Sequence, residues 1–233
     1  KALVLRTTYE DNAYITPERK AAIEQLKTGD PYIYDVYRYG KFGTRGGRIL
    51  INIEETDFAK AGLKFTNYDN RGYAQDFGFN HNNCILCLAE KDECLYVIDE
   101  LYGQGKDTAE WIAEADKRGL DKRLSMVCDS AEPDRIKTWQ RAGYRAVGVK
   151  KHAGSVAAQI DRLKRYKKIY INLTCVNTLR EAREWKWKQG KDGRFVDVPM
   201  DKDDDCMAAL RYGCDLFGER GAAMVSLNSF TRK

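Results

Sequence analysis

Histidine is scarce in this 233-residue chain: two occur, beside seven cysteines and four prolines. A His-rich transition-metal site therefore has almost nothing to draw on. Cys84 and Cys87 form one CxxC, but there is no second pair. The stretch NNCILCLAE reads as a strand, which points those two thiols to opposite faces and argues against zinc. The remaining cysteines are scattered, and Cys128 also sits in an apolar stretch, a usage that fits a reducing compartment better than a disulfide framework. No GxxxxGK[ST] loop occurs, so these residues hold no P-loop ATPase. No apolar run approaches the roughly 20 residues of a membrane span. The opening KALVLRTTYEDNAY has no initiator Met and no signal-peptide pattern, so the sequence reads as a piece of a longer chain. Internal repeats and low-complexity segments are missing too.

What is present is ordinary globular material: 43% hydrophobic and 32% charged residues, with a formal net charge of +5. A chain of this size can bury a sizeable core, as one large domain or one domain with an appendage. The mild positive charge permits a polyanionic partner without demanding one. Residues 1 to about 65 differ in character from the rest. ITPERKAAIEQLKTG carries a helix signal, with Thr16 as N-cap, Pro17 at the first helical position and Gly29 past the end. The aromatic- and glycine-rich DPYIYDVYRYGKFGTRGGRILIN suggests an extended connector.

From Arg71 the pattern becomes regular. RGYAQDFGF, CILCLAE and CLYVIDELY predict three strands of an antiparallel meander. DTAEWIAEADKRG predicts a helix capped by Asp107 or Thr108 and stopped at Gly119. RLSMVCDS, YRAVGVKK and KIYIN predict strands. Helices are predicted at EPDRIKTWQRAG and at SVAAQIDRLKRYK with Ser155 as cap. CVNTLREAREWKWKQ reads as a helix or as a helix running into a hairpin. QGKDGRF is a turn, and DDDCMAALRYGCDLF the final helix. The sum is an α/β protein whose sheet is mixed, with helices on both faces.

Three acidic positions stand out. Asp76 lies in the first meander strand, Asp129 closes the strand LSMVCD, and Asp204 and Asp205 belong to the run DKDDD that opens the last helix. Carboxylates crowded this tightly repel one another unless a cation sits among them. Each also has a plainer use. Asp129 or Ser130 could cap the helix beginning near Glu132, and the acidic run could be a solvated helix start favourable to the dipole. Asp76 is harder to explain that way, since burying a carboxylate in a strand costs roughly several kcal/mol unless it is paired or metal-bound. The DFG that follows it is not a kinase motif, because no HRD loop, GxGxxG or VAIK strand accompanies it.

The joint order of these acids, with YAQDFGF, VCDSAEPDRI and CMAALRYG as motifs, resembles the C-terminal nuclease domain of the large terminase subunit of tailed phages, a branch of the RNase H-like superfamily. The resemblance covers about residues 70 to 218. It implies an RNase H-like domain over 66–218, a 1–65 connector from an N-terminal ATPase domain in cis, and a 219–233 tail. TTYEDNAYITPE and YRYGKFGTRGGRI fit that connector. The implied activity is endonucleolytic cutting of concatemeric double-stranded viral DNA during genome packaging, in the host cytoplasm. Two Mg²⁺ or Mn²⁺ ions would be held by Asp76, Asp129 and the acids Asp204 and Asp205. The portal or procapsid and the terminase small subunit are the implied protein partners, with no membrane involved.

The family carries an acid directly before Ala-Leu-Arg-Tyr, the third metal ligand; here that position is Ala208. Two origins are open: an engineered Asp-to-Ala change that disables cleavage, which is favoured because a methyl has no evident use at a ligand position, or a natural variant in which Asp204 or Asp205 supplies the ligand. Lys150 and Lys151 at a strand end, and Lys186, Lys188, Lys191 and Arg194 around the QGKDGR turn, are candidate DNA-phosphate contacts, braced by Trp185 and Trp187. The alternative readings are a related RNase H-like resolvase or ribonuclease, or a non-catalytic DNA-clamping or motor-docking module.

Overall fold

The computed structural model describes residues 7–29, 31–39, 47–190, 195–200 and 203–217. They divide into two compact units, one of residues 1–51 with 185–200, the other of 52–184 with 201–233. This differs from the boundary expected near residue 65. Residues 52–65 belong with the large sheet, and the segment after Glu184 belongs with the first unit.

In the first unit, α1 (Pro17–Gly29) starts where Thr16 and Pro17 predict. The aromatic segment expected to be extended instead forms a second helix, α2 (Pro31–Tyr39), with proline at its first position. Tyr34 is buried with Tyr9 and Ile23, and its hydroxyl donates to Glu24 at 3.1 Å. That burial gives the aromatics a reason to coil that spacing alone did not reveal. The GKFGTRG stretch lies outside the described residues.

The second unit is built on a seven-stranded sheet. Its elements run β1 (Ile53–Thr56), β2 (Arg71–Asp76), β3 (Asn83–Lys91), β4 (Cys94–Gly103), α3 (Thr108–Lys117), β5 (Ser125–Cys128), α4 (Pro133–Arg141), β6 (Arg145–Gly148), α5 (Ser155–Arg165), β7 (Lys168–Asn172) and α6 (Val176–Glu184). The chain then passes through the hairpin β8 (Trp187–Gln189) and β9 (Phe195–Pro199) of the first unit, and returns as α7 (Asp205–Tyr212). The strand order is β1-β7-β4-β3-β2-β5-β6. The β2–β3–β4 meander is antiparallel as expected, and the other neighbours are parallel. β1 was not foreseen. Its IEET has no apolar alternation, and it is fixed by parallel pairing with the distant β7.

Both faces of the central strands are covered, which is why β3 is buried along nearly its whole length. On one face, Trp111 and Ala115 of α3 and Ile136 and Trp139 of α4 pack on Tyr73, Ile85, Cys87, Met126 and Cys128. The other face receives α7. Cys84 points there and its Sγ lies 3.1 Å from Cys206 Sγ, while Cys87 points to the α3–α4 side, so the CxxC thiols do diverge.

Helix starts in this unit differ in how they are fixed. Asp107 caps α3, with Glu110 completing a capping box. Ser155 does not cap α5, as had been expected. It is the first helical residue, after Gly154 in the left-handed conformation, and its Oγ bonds to His152 instead.

Candidate metal centre

β2 and β5 are parallel neighbours, with Gln75 beside Cys128, and the Asp129 N–H donates to the Gln75 carbonyl at 3.0 Å. That bond sets the residue after β5 next to the last residue of β2, which is how Asp129 and Asp76 meet. Alternation decides where they face. Tyr73 and Met126 point to α3 and α4, so Ala74 and Asp76, Val127 and Asp129 point to the α7 side. Asp129 does not cap α4; its Oδ1 accepts from the Ala131 N–H at 2.8 Å and from Lys151 Nζ at 2.5 Å.

The third contribution comes from α7. Asp204 is its N-cap residue, and its carbonyl accepts the Ala208 N–H at 2.7 Å. Asp205 opens the helix, and its carboxylate accepts from Asn82 Nδ2 at 3.3 Å. Met207, Leu210 and Cys214 are buried, and Phe217, next on the same stripe, is partly exposed. Gly213 at the helix end explains how closely α7 can approach: a Cβ there would lie 2.2 Å from Leu88 Cδ1 and 3.3 Å from the Ala74 methyl. Ala208 is buried against Val127, Val149 and Tyr212. Asp76, Asp129, Asp204, Asp205 and Ala208 are thus brought to one region of the sheet.

Their mutual repulsion is visible in Asp76. Burial, then the charges of Asp129 and Asp205, push its carboxyl up to about 8, while Arg211 pulls the other way and Asp204 adds a little more. Burial also raises Asp205, against its bond from Asn82. The Tyr212 hydroxyl is raised by burial and then by Asp76 and Asp129. A cation among these groups would relieve all three.

The donors are hard oxygens, the type that suits Mg²⁺ or Mn²⁺. Their number falls short: among the described residues no three His, Cys, Asp or Glu side chains converge closely enough to hold a metal ion. The shortfall coincides with the methyl of Ala208.

Of the basic residues, Lys150 and Lys151 follow β6, and Lys151 reaches the acids directly. Lys186 and Lys188 lie in the other compact unit, and Lys191 and Arg194 fall outside the described residues.

Sequence reasoning missed Glu181. Its carboxylate accepts from the N–H groups of Cys206 at 2.6 Å and Met207 at 3.3 Å, and burial pushes it up to about 7. It acts as the N-cap that Asp204 does not supply, across from another helix. α6 is held the same way, because Glu100 of β4 accepts from the N–H groups of Asn177 and Thr178 at 2.9 and 2.8 Å. Two carboxylates thereby carry the position of the sheet to α6 and then to the first turn of α7. In LREARE, Glu181 looks like any solvent-facing helix acid. Asn82, in the loop before β3, and Arg211 were missed because their partners, Asp205 and Gln159, lie far along the chain.

A sheet in which an antiparallel meander continues into parallel strands, with acids at adjoining strand ends under a late helix, is RNase H-like. The model for the terminase RNase H-like domain matches residues 76–215, and the chain belongs to that family. It is 29% identical over 214 residues to the PBSX phage terminase large subunit of Bacillus subtilis (strain 168), covering 90% of this chain and 49% of the relative. The chain thus spans about half the length of the curated relative it matches. Among solved structures, it resembles the large terminase nuclease domain of bacteriophage SPP1 with bound Mn. The TM-score is 0.65 at 22% identity, over 71% of this chain and 96% of that one. It also resembles the large terminase of a thermophilic bacteriophage, with a TM-score of 0.62 at 18% identity, over 91% of this chain and 55% of that one. At these identities the structural likeness speaks for the fold.

Proposed function

We propose that this chain is the part of a phage large terminase that cuts double-stranded concatemeric DNA during genome packaging, by metal-assisted hydrolysis of a phosphodiester. The observation that carries the reading is the pair Asp76 and Asp129 on adjoining strand ends, facing the acidic start of α7, with Asp76 pushed up to about 8. The Mn bound by the SPP1 nuclease domain supports a divalent ion, Mg²⁺ or Mn²⁺, as its partner. When bound, such ions supply an activated water and charge stabilisation at the leaving 3′ oxygen.

The residues have distinct tasks. Asp76 and Asp129 hold the cation, with Asp204 or Asp205 completing the set. Lys151 compensates Asp129 in the metal-free protein and turns to a strand phosphate when the cation takes its place. Glu181 fixes the first turn of α7, so that its acids stay in register with β2 and β5. Ala208 removes the oxygen donor one helical turn inside α7, and the chain as it stands is inactivated for cleavage. The unit built on the large sheet, residues 52–184 continued from 201, is the nuclease proper, and the residues before it lead from an ATPase domain in cis. The portal or procapsid and the small subunit are its protein partners, and the host cytoplasm its place of action. No described helix is long and apolar enough to cross a membrane.

Nicking of supercoiled plasmid in Mn²⁺ tests this. Ala208→Asp gains nicking over the parent chain, and adding Asp76→Asn abolishes the gain. A chain that binds duplex but gains no nicking with Ala208→Asp is instead the DNA-clamping module that a methyl at 208 also favours.

A further inference from the structure

Beside the acids lies a cleft of about 180 Å³, lined by Lys151, His152, Ser155, Gln159, Arg211 and Tyr212. It is smaller than the roughly 300–1,000 Å³ typical of small-molecule pockets. It suits one compact group. Arg211 is only 8% exposed, yet its Nη1 donates to a neutral acceptor, Gln159 Oε1 at 3.0 Å, and its Nε has no hydrogen-bond partner. Gln159 is itself buried. The guanidinium rests over the Tyr212 ring, 5.3 Å from its centroid. Burying a cation with a donor unmet is costly unless something negative completes it.

Two further features point the same way. The cleft includes the start of α5, an 11-residue helix whose N-cap Gly154 supplies no side-chain cap; the Ser155 N–H bonds to the His152 carbonyl at 3.0 Å, which leaves the next N–H groups of the first turn and a positive dipole end. Lys151 forms the side nearest the acids: its Nζ lies 5.3 Å from the Tyr212 ring centroid and bonds to Asp129. The lining therefore combines a buried guanidinium, an ammonium and a helix N-terminus, and among the described residues contains no carboxylate.

We propose that this cleft seats a backbone phosphate of the DNA strand being cut, next to the phosphate presented to Asp76 and Asp129. Arg211 and the first turn of α5 receive its oxygens, and Lys151 spans the two phosphate positions. The assignment rests on the nuclease reading above. It makes Arg211 a substrate-binding residue and fixes the direction in which the strand leaves the acids, toward α5.

The test uses fluorescence anisotropy of a labelled duplex with the whole chain, across a salt series without divalent metal. Val156 lines the same cleft and is 41% exposed, so Val156→Asp puts an internal anion there without disturbing the core. Val176→Asp, on α6 at a residue 62% exposed, adds the same charge outside the cleft. Val156→Asp should weaken binding on the order of three- to tenfold and flatten the slope of log K against log salt by about 0.9, the signature of one lost phosphate contact. Val176→Asp should leave the slope unchanged. Arg211→Met, with its fold checked by circular dichroism, should match Val156→Asp. Equal slopes in all variants would overturn the subsite and leave the nuclease reading standing. A parent chain that binds no duplex at any salt overturns both. Inorganic phosphate that binds the parent but not Val156→Asp in ³¹P line broadening, with duplex affinity unchanged, assigns the cleft to free phosphate and overturns the strand assignment.

Discussion

The two faces of β2 and β5 are made by alternate residues of the same few strands, and they obey opposite rules. Toward α3 and α4, Tyr73, Met126 and Cys128 join a cluster closed by Trp111 and Trp139. Its buried amides pair with each other, Gln75 Nε2 donating to Asn83 Oδ1 at 2.8 Å, although Asn83 Nδ2 and the indole N–H groups of Trp111 and Trp139 have no partner among the described residues. Toward α7 the residues are small or acidic: Ala74 and Gly213 permit close approach, and Asp76, Asp129, Asp204 and Asp205 gather charge of one sign. The first face lowers the energy of the fold. The second raises it in the absence of a cation, as expected of a face shaped for a ligand rather than for stability.

Trp139→Ala strikes the first face hardest. Trp139 is fully buried and meets the Tyr144 ring edge-on at 4.7 Å, so the cavity left behind should cost about 3–5 kcal/mol in urea denaturation, with or without Mn²⁺. A loss below about 1 kcal/mol would show that stability does not reside there.

Ala208→Asp sharpens the second face. An acid among Val127, Val149 and Tyr212 adds to charge that Lys151 and Arg211 offset only in part, and should cost about 1–3 kcal/mol in metal-free buffer. Mn²⁺ should restore most of the loss, because the ion binds only the folded form. If Mn²⁺ leaves the melting midpoint of this variant where it was, residue 208 does not face the cation site.

Asp76→Asn should act in the reverse direction. A carboxyl raised from its ordinary value to about 8 binds its proton more tightly folded than unfolded, so the parent loses stability as pH climbs from about 4 through 8. The asparagine variant removes the Asp76 share of that slope, Glu181 and Asp205 keeping theirs, and should be more stable at pH 8.5 by about 1–3 kcal/mol, with little difference near pH 4. Parallel stability–pH curves for the two proteins would mean that burial and the neighbouring acids do not raise Asp76 as described.

The first face was legible because its residues obey local rules. The apolar strand segments in RGYAQDFGF and CILCLAE and the Asp107 cap are properties of neighbouring residues, and the structure keeps them. The joint placement of Asp76, Asp129 and the α7 acids was implied by the family resemblance that their motifs carry. What stayed hidden depends on partners far along the chain. β1 is a strand because β7 lies beside it, and α2 coils because Tyr34 finds Tyr9 and Ile23. Glu181 and Arg211 became buried polar groups only when α7 docked. No pattern within LREARE or ALRY carries that information. The departure of the chain through β8 and β9 between α6 and α7 was half visible, as a helix running on toward a hairpin, but its membership of another compact unit was not.

Lys151→Met should have the smallest effect on stability and is the finest test of the contrast between the faces. The ion pair with Asp129 is short, but the lysine side chain is 42% exposed, and pairs so placed contribute about 0–1 kcal/mol. Removing it also withdraws a positive charge from the acid-rich face, which adds to the cost, but solvent screening at this exposed pair should keep the total to about 1 kcal/mol. Metal affinity should shift in the opposite sense. Lys151 occupies the Asp129 Oδ1 oxygen that a cation needs, and without it Mn²⁺ should bind more tightly, read by the paramagnetic signal of free Mn²⁺ in titration. Duplex affinity should fall at the same time, since the ammonium no longer meets a strand phosphate. Tighter metal with weaker DNA, at nearly constant stability, separates a functional cation from a structural one. Weaker metal binding would instead show that Lys151 holds Asp129 in its working orientation.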